Sequence, residues 1–345
     1  MLSRHKFEIK VGGRKIRLGE RTLIMGVLNV TPDSFSDGGR YLSPRRAIEH
    51  ALKMARQGAD WIDVGGESTR PGSHPVPAEE ELRRVIPVIQ ALHHRMPTLK
   101  ISIDTTKAEV AEEAVRAGAT IINDVSGLRF DPKLAGVARR HGTPLILMHI
   151  RGRPRTMQQK PFAKSIWRSV STGLAWSIRA AIRSGVHRSQ LIVDPGLGFG
   201  KTRRQNFEIL AELERLNIFH LPILVGTSRK SFVQAIVAGE GLAKRAVAPG
   251  IISEHAAPSP DSGQALKGGA TKSAMKSVTK GATKGLWALS GMGRESDSQL
   301  LFGDAAAVAA SILAGAHIVR VHDVESIFPA TRIADAILSA GSANR

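Results

Sequence analysis

Nearly every short apolar run in this chain closes on a residue that can do chemistry. Asn29, Asp63, Asp104, Asn123 with Asp124, His149 and Asp194 each end a run. Glu67, Thr69 and Arg70 follow one, Ser228, Arg229 and Lys230 follow another, and Arg320, His322 and Asp323 end the last. A single Asp or Asn at such a position has a bland explanation, because it often caps the helix that comes next. The recurrence is what points to a site. Carboxylates and carboxamides gathered with Lys230, Arg320 and His322 suit a ligand that has a flat, donor-rich head and an anionic tail.

Those residues act together only if the elements bring their ends to one place. The runs are 22–29, 60–66, 99–105, 120–127, 144–149, 190–196, 222–228 and 317–323, all short and rich in β-branched residues. Between them lie amphipathic stretches such as SPRRAIEHALKMARQGA and TTKAEVAEEAVRAGA, several ending in the glycine that commonly terminates a helix. The alternation predicts βαβ units. Eight units over about 250 residues match one closed parallel barrel of the TIM type, and a doubly wound open sheet is the alternative with the same rhythm. In a TIM barrel the chemistry sits at the C-terminal ends of the strands, where the polar residues above fall. The expected architecture is a single α/β domain over 1–345, a (β/α)₈ barrel with its core at 20–239 and 301–340. Residues 240–300 interrupt it between strands seven and eight. They contain SPDSGQALKGGATKSAMKSVTKGATKG, whose composition predicts a flexible insertion and not a formed helix, although Lys272, Lys276, Lys280 and Lys284 recur at helical spacing.

Composition narrows the chemistry. The 345 residues are 42% hydrophobic, enough for one large core, and contain no cysteine, which excludes disulfide scaffolds, thiol catalysis and cysteine-based zinc sites. No run reaches the roughly 18 apolar residues of a membrane span, and the first residues lack the apolar stretch of a signal peptide, so a cytoplasmic enzyme is expected. A formal net charge of +19 suits anionic partners, nucleic acid or anionic metabolites. With 4% aromatic residues and no helix-turn-helix, RNP or zinc pattern, nucleic acid is not the expected partner. GLGFGKT at 196–202 ends like a phosphate-binding P-loop, but Pro195 stands where that motif needs glycine.

The segments IMGVLNVTPDSFSDGG (24–39) and GADWIDVGGESTRPGS (58–73) resemble the two pterin-binding signatures of the dihydropteroate synthase family. SIDTTK, INDVSG, LMHIRGRPRTMQ, DPGLGFGK, GTSRKSF and RVHDV follow in family order. The resemblance implies a TIM barrel that condenses 6-hydroxymethyl-7,8-dihydropterin diphosphate with p-aminobenzoate, with Mg²⁺ as the metal and a homodimer as the assembly. It implies pterin contacts from Asp104, Asn123, Asp194 and Lys230, with Met148 and Phe199 against the ring faces. It implies Asn29 as the ligand for Mg²⁺ and diphosphate, with Thr69, Arg320 and His322 on the anion side and Arg70 as a further substrate-binding residue. Asp33, Phe35 and Asp37 match the family's mobile first loop, Phe35 and Pro71 would wall the aminobenzoate slot, and Ser231 would lie beside the aminobenzoate carboxylate. The implied catalytic set is Asp33, Asp37, Arg70, Arg320 and His322. No protein nucleophile is needed, in keeping with a chain that has no cysteine.

Two features depart from the family pattern: the insertion, and Asp304, which stands after Gly303 where the family more often has a small hydroxyl residue. Two other readings compete with the synthase. A pterin-binding methyltransferase barrel would share the head-group residues, but the TPDSFSDGG and STRPGS loops with RVHDV favour the synthase. A catalytically silent paralogue, acting as a binding protein through its basic insertion, would be expected to have lost Asn29, Asp104, Asp194, Lys230 or Arg320. All five are present.

Overall fold

The computed structural model describes residues 4–31, 44–159, 161, 164–242 and 293–342. The chain opens with an antiparallel hairpin, β1 (Phe7–Val11) and β2 (Arg14–Leu18). Then come β3 (Leu23–Asn29), α1 (Pro44–Arg56), β4 (Trp61–Gly65), α2 (Ala78–Arg95), β5 (Lys100–Asp104), α3 (Ala108–Arg116), β6 (Ile121–Asp124) and α4 (Leu134–His141). The second half holds β7 (Leu145–Met148), α5 (Ile166–Arg183), β8 (Leu191–Asp194), α6 (Arg203–Ala211), β9 (Leu224–Val225), α7 (Ser231–Val237), α8 (Gly293–Leu313), β10 (Ile318–Val321) and α9 (Val324–Ser342).

Eight strands, β3 to β10, make one parallel sheet in the order β8-β7-β6-β5-β4-β3-β10-β9. Its two ends meet: Val193 of β8 bridges Ile223, just ahead of β9, and the Val193 N–H donates to the Pro222 carbonyl at 3.0 Å. The sheet is therefore a closed ring and not an open doubly wound layer. Ahead of β9, Pro222 has no N–H to give and the Ile223 N–H goes to His317 Nδ1 at 3.1 Å. All eight strands anticipated from the apolar runs are present.

Alternation along the strands divides the interior. Outward residues such as Ile24, Ile62, Ile101, Ile122, Leu147 and Val319 pack under the helices. Inward residues at the N-terminal end, including Met25, Trp61, Ile121, Ile146, Ile192 and Ile318, form a separate apolar layer. Ile9, Val11 and Leu18 of the hairpin close that layer from below, so the barrel floor is dry. The hairpin was not anticipated, yet its signal is plain: alternating FEIKV and RKIRL flank Gly12 and Gly13, whose φ of +54° and +78° suit a tight two-residue turn. Leu18 is fully buried. Leu18→Ala should cost about 2 to 5 kcal/mol in urea denaturation, since the plug cannot collapse onto the space left.

The helix α7 starts at Ser231 and not earlier, because Arg229 adopts φ +56° and cannot belong to a right-handed helix. The helix α8 before the last strand begins at Gly293, inside the segment 240–300 expected to be an insertion. Residues 243–292, the bulk of the expected insertion with its spaced lysines, lie outside the described residues. No described helix is long and apolar enough to cross a membrane.

Candidate active site

Above the apolar floor, the inward positions become polar, and the first group is held by Arg320. Its Nε donates to Asp63 Oδ2 at 2.6 Å and its Nη2 donates to Asp104 Oδ2 at 2.8 Å. Asn123 Nδ2 also donates to Asp63 Oδ2, at 3.0 Å. Parallel registry makes this possible, since Gly65 pairs with Asp104 and Asp104 with Asn123 across adjacent strands. Asp63 is fully buried and Asp104 nearly so. Burial, together with Asp63, Glu81 and Asp124 nearby, pushes the Asp104 carboxyl up, while the Arg320 guanidinium opposes that. Asp63 Oδ1, Asp104 Oδ1, Ser102 Oγ and Thr227 Oγ1 are buried with no partner among the described residues. Buried polar atoms are normally satisfied, so such a group marks where a ligand's polar edge fits. Asp63 closes a strand in sequence with no partner to suggest a role. Arg320, which the resemblance places on the anion side, gives two of its guanidinium nitrogens to carboxylates inside the barrel.

The second group surrounds Asp194, which pairs in register with Met148. Asp194 Oδ1 accepts the Gly196 N–H at 2.6 Å, and burial raises its carboxyl to about 6. The chain turns sharply there. Gly196 has φ +68°, and a Cβ on it would meet the His149 carbonyl, so only glycine fits. Lys201 fixes this turn from behind, its Nζ donating to the carbonyls of His149, Gly196 and Phe199 at 3.1, 2.6 and 3.1 Å. The P-loop look-alike is thereby resolved: its lysine is buried against its own backbone. Lys230 Nζ stands 4.2 Å from the centre of the Phe199 ring, and burial beside Arg320 lowers its ammonium to about 8. Met148 and Phe199 belong to one apolar cluster with Val125, Ile150 and Met157, which walls the mouth on this side.

The third group is cationic. Arg320, Arg229, Lys230 and Arg70 all act on His322, and together with its burial they hold the imidazole far below its ordinary value. The Ser228 hydroxyl lies 3.3 Å from His322 Nδ1 and 3.1 Å from Asp304 Oδ2, which also accepts the Arg229 N–H at 2.9 Å. This supplies the account that Asp304 lacked in sequence: from α8 it satisfies the backbone of the left-handed Arg229 turn. Thr69 is half-buried, and Arg70 and Pro71 are exposed on the β4–α2 loop. Lys107 anchors that loop by joining Glu67 to the buried Glu81, and the Gly72 N–H reaches the Pro154 carbonyl at 3.1 Å. Asn29 ends β3 half-exposed, and Ser231 is exposed at the first position of α7. His149, by contrast, turns away from the mouth to pack against Gly173 and Ser169 of α5. Asp33, Phe35 and Asp37 lie outside the described residues. No cluster of three His, Cys, Asp or Glu suited to hold a metal occurs among the described residues. Mg²⁺ needs no such cage when substrate phosphates and water complete its shell, so a lone carboxamide such as Asn29 is chemically adequate.

Comparison with known proteins agrees with this geometry. The profile of the pterin binding enzyme family matches residues 25–259. Dihydropteroate synthase from Escherichia coli K12 is 38% identical over 92% of this chain and 92% of its own length, and that of Synechocystis is 47% identical over 66% of this chain and 79% of its own. Among solved structures, Yersinia pestis dihydropteroate synthase with a sulfonamide drug complex superposes with a TM-score of 0.74 at 34% identity, covering 97% of this chain and 100% of that one. The Xanthomonas albilineans dihydropteroate synthase in complex with 7,8-dihydropteroate gives 0.71 at 32% identity, covering 96% of this chain and 98% of that one. On this fold, this mouth and these relatives, the chain belongs to the pterin-binding enzymes and, among them, to the dihydropteroate synthases of folate biosynthesis.

Proposed function

We propose that the chain condenses 6-hydroxymethyl-7,8-dihydropterin diphosphate with p-aminobenzoate, giving 7,8-dihydropteroate and diphosphate. The carrying observation is one barrel mouth that offers Asp104, Asn123 and Asp194 beside an apolar wall, with four cationic side chains grouped around His322. The pterin's adjacent N–H donors pair with Asp194, a carboxylate that accepts two at once. Asp104 and Asn123 take the ring's remaining polar edge, Lys230 donates to its oxygen and nitrogen, and Met148 and Phe199 cover its faces. Arg320 holds Asp63 and Asp104 in orientation, and its remaining nitrogen, Nη1, is the one left for the anion.

Thr69, Arg70 and His322 receive the diphosphate. Asn29 would hold Mg²⁺ there with phosphate oxygens and water, a hard cation that offsets charge on the departing group. The carbon–oxygen bond breaks with its electron pair going to diphosphate, the amine nitrogen bonds to the methylene carbon, and the amine loses a proton. Fixed cations at the mouth favour charge on the leaving group, and Pro71 and Ser231 mark the aminobenzoate side. Asp33, Phe35 and Asp37 complete this assignment on the first loop. A homodimer is part of the same reading, supported by Phe302 on α8 and Ile333 and Ile337 on α9, which are 73%, 65% and 48% exposed. A cytoplasmic setting suits charged substrates that do not cross a bilayer unaided.

The purified protein should form 7,8-dihydropteroate from the two substrates when Mg²⁺ is added, and chelation should lower turnover by about tenfold or more, since the metal offsets charge in the bond-breaking step. Chromatographic detection of product is the check. No product with Mg²⁺ present would overturn the reading, and undiminished turnover in excess chelator would remove the metal from it.

A further inference from the structure

Asp304, Ser228 and His322 form one hydrogen-bond chain from helix α8, through the turn after β9, to the end of β10. Asp304 Oδ2 accepts both the Ser228 hydroxyl, at 3.1 Å, and the Arg229 N–H, at 2.9 Å. Ser228 Oγ lies 3.3 Å from the backbone nitrogen of His322 and 3.3 Å from its Nδ1. A serine hydroxyl has one hydrogen and two acceptor lone pairs. Its hydrogen is spent on Asp304, an oxygen already accepting an amide hydrogen, so both His322 nitrogens must donate to Oγ. Nδ1 therefore carries a hydrogen, and Nε2 of the neutral ring carries a lone pair and makes no hydrogen bond among the described residues.

We propose that Asp304 is a positioning residue for the transfer reaction: acting through Ser228, it fixes His322 as the Nδ1–H tautomer, so that Nε2 meets the anionic leaving group by taking up a proton. The last clause rests on the synthase reading; the tautomer does not. The groups facing His322 are Arg320 from β10, Arg229 and Lys230 from the turn after β9, and Arg70 from the β4–α2 loop. Arg229 and Asp323 both act on His50 of α1, and Asp323 also acts on Asp304. Burial first and these cations second keep the free imidazole neutral, and a bound anion offsets the cations and pairs with the charged ring. A proton then moves from water onto Nε2, the ring donates to a phosphate oxygen, and the departing diphosphate can carry that proton away with the electron pair of the broken bond. Without Asp304 the Ser228 hydroxyl is released to donate to Nδ1. The ring then shifts to the Nε2–H form, which donates to an anion with no proton uptake.

Nitrogen NMR of the full chain with labelled histidine tests this, His322 being assigned by its loss in His322→Gln. The parent should show the Nδ1–H tautomer when free and the imidazolium with inorganic diphosphate, with a matching proton uptake by calorimetry in two buffers. Asp304→Ala should populate the Nε2–H form, lose at least half of the proton uptake and fall about tenfold in kcat/KM, whereas Asp304→Asn, which keeps an acceptor oxygen, should stay within about threefold. Ser228→Ala, which removes the acceptor of the Nδ1–H, should also free the ring from that tautomer if Asp304→Ala fails to fold. An Nε2–H ring in the free parent, or a tautomer unchanged in both variants, would overturn the proposal. Because the tautomer is read without substrate, that failure is distinct from absence of turnover in the parent, which would strike the synthase reading instead.

Discussion

Asp194→Asn is expected to weaken pterin binding by about 2 to 3 kcal/mol, roughly 30- to 150-fold, because an amide cannot accept two ring donors as a carboxylate does. The substitution is nearly isosteric, and Asn Oδ1 can still accept the Gly196 N–H that Asp194 Oδ1 takes at 2.6 Å, so the turn survives. The loss should therefore appear in pterin affinity by calorimetry with little change in thermal stability. The pH dependence has a definite sign. Burial raises the free carboxyl to about 6, and the ligand pairs with the ionised form. Affinity should be full above about pH 6 and decline as pH falls through that value, because a proton must first be removed. The asparagine variant should lack this acid limb. An affinity equal to the parent's, or a decline that persists in the variant, would take Asp194 out of the head-group site.

Arg320→Ala is expected to cost about 3 to 5 kcal/mol of stability, since it strands two buried carboxylates that now share one guanidinium. Arg320→Lys should recover little of this, because one ammonium cannot span Asp63 and Asp104 as the planar fork does. For Asp104 the sign follows from its raised value in the folded protein. Such a group binds protons more tightly folded than unfolded, so its contribution to stability falls as pH rises from the unfolded value through the folded one. Removing Arg320 raises that carboxyl beyond its value of about 8, so the Asp104 part of the deficit should grow as pH rises through about 8 and shrink toward acid. Adding Asp104→Asn to Arg320→Ala should restore part of the loss, which a denaturation cycle over the four proteins measures. Pterin and its diphosphate ester should both bind less well, because Asp104 loses its orientation. A loss confined to the diphosphate ester would instead assign Arg320 to the anion alone.

Strand count, strand ends and the polar residues at them are legible in the sequence, because a buried strand is a short apolar run and a barrel's chemistry sits where such runs stop. The hairpin around Gly12 and Gly13 is likewise present in the alternation of its flanks. Whether the ring closes was decided only in three dimensions, by the Val193 contact with Pro222 and Ile223, since an open sheet has the same local rhythm. Partnerships were decided there too. Arg320 and Asp63 are 257 positions apart, and Ser228 and Asp304 are 76 apart. Periodicity reports which face a side chain takes within its own element, and it carries no information about which distant side chain shares that face. For that reason Asp63 and Asp304 had no role until the barrel brought Arg320 and Ser228 against them, and Lys201 resembled a phosphate ligand until the fold turned it onto its own carbonyls.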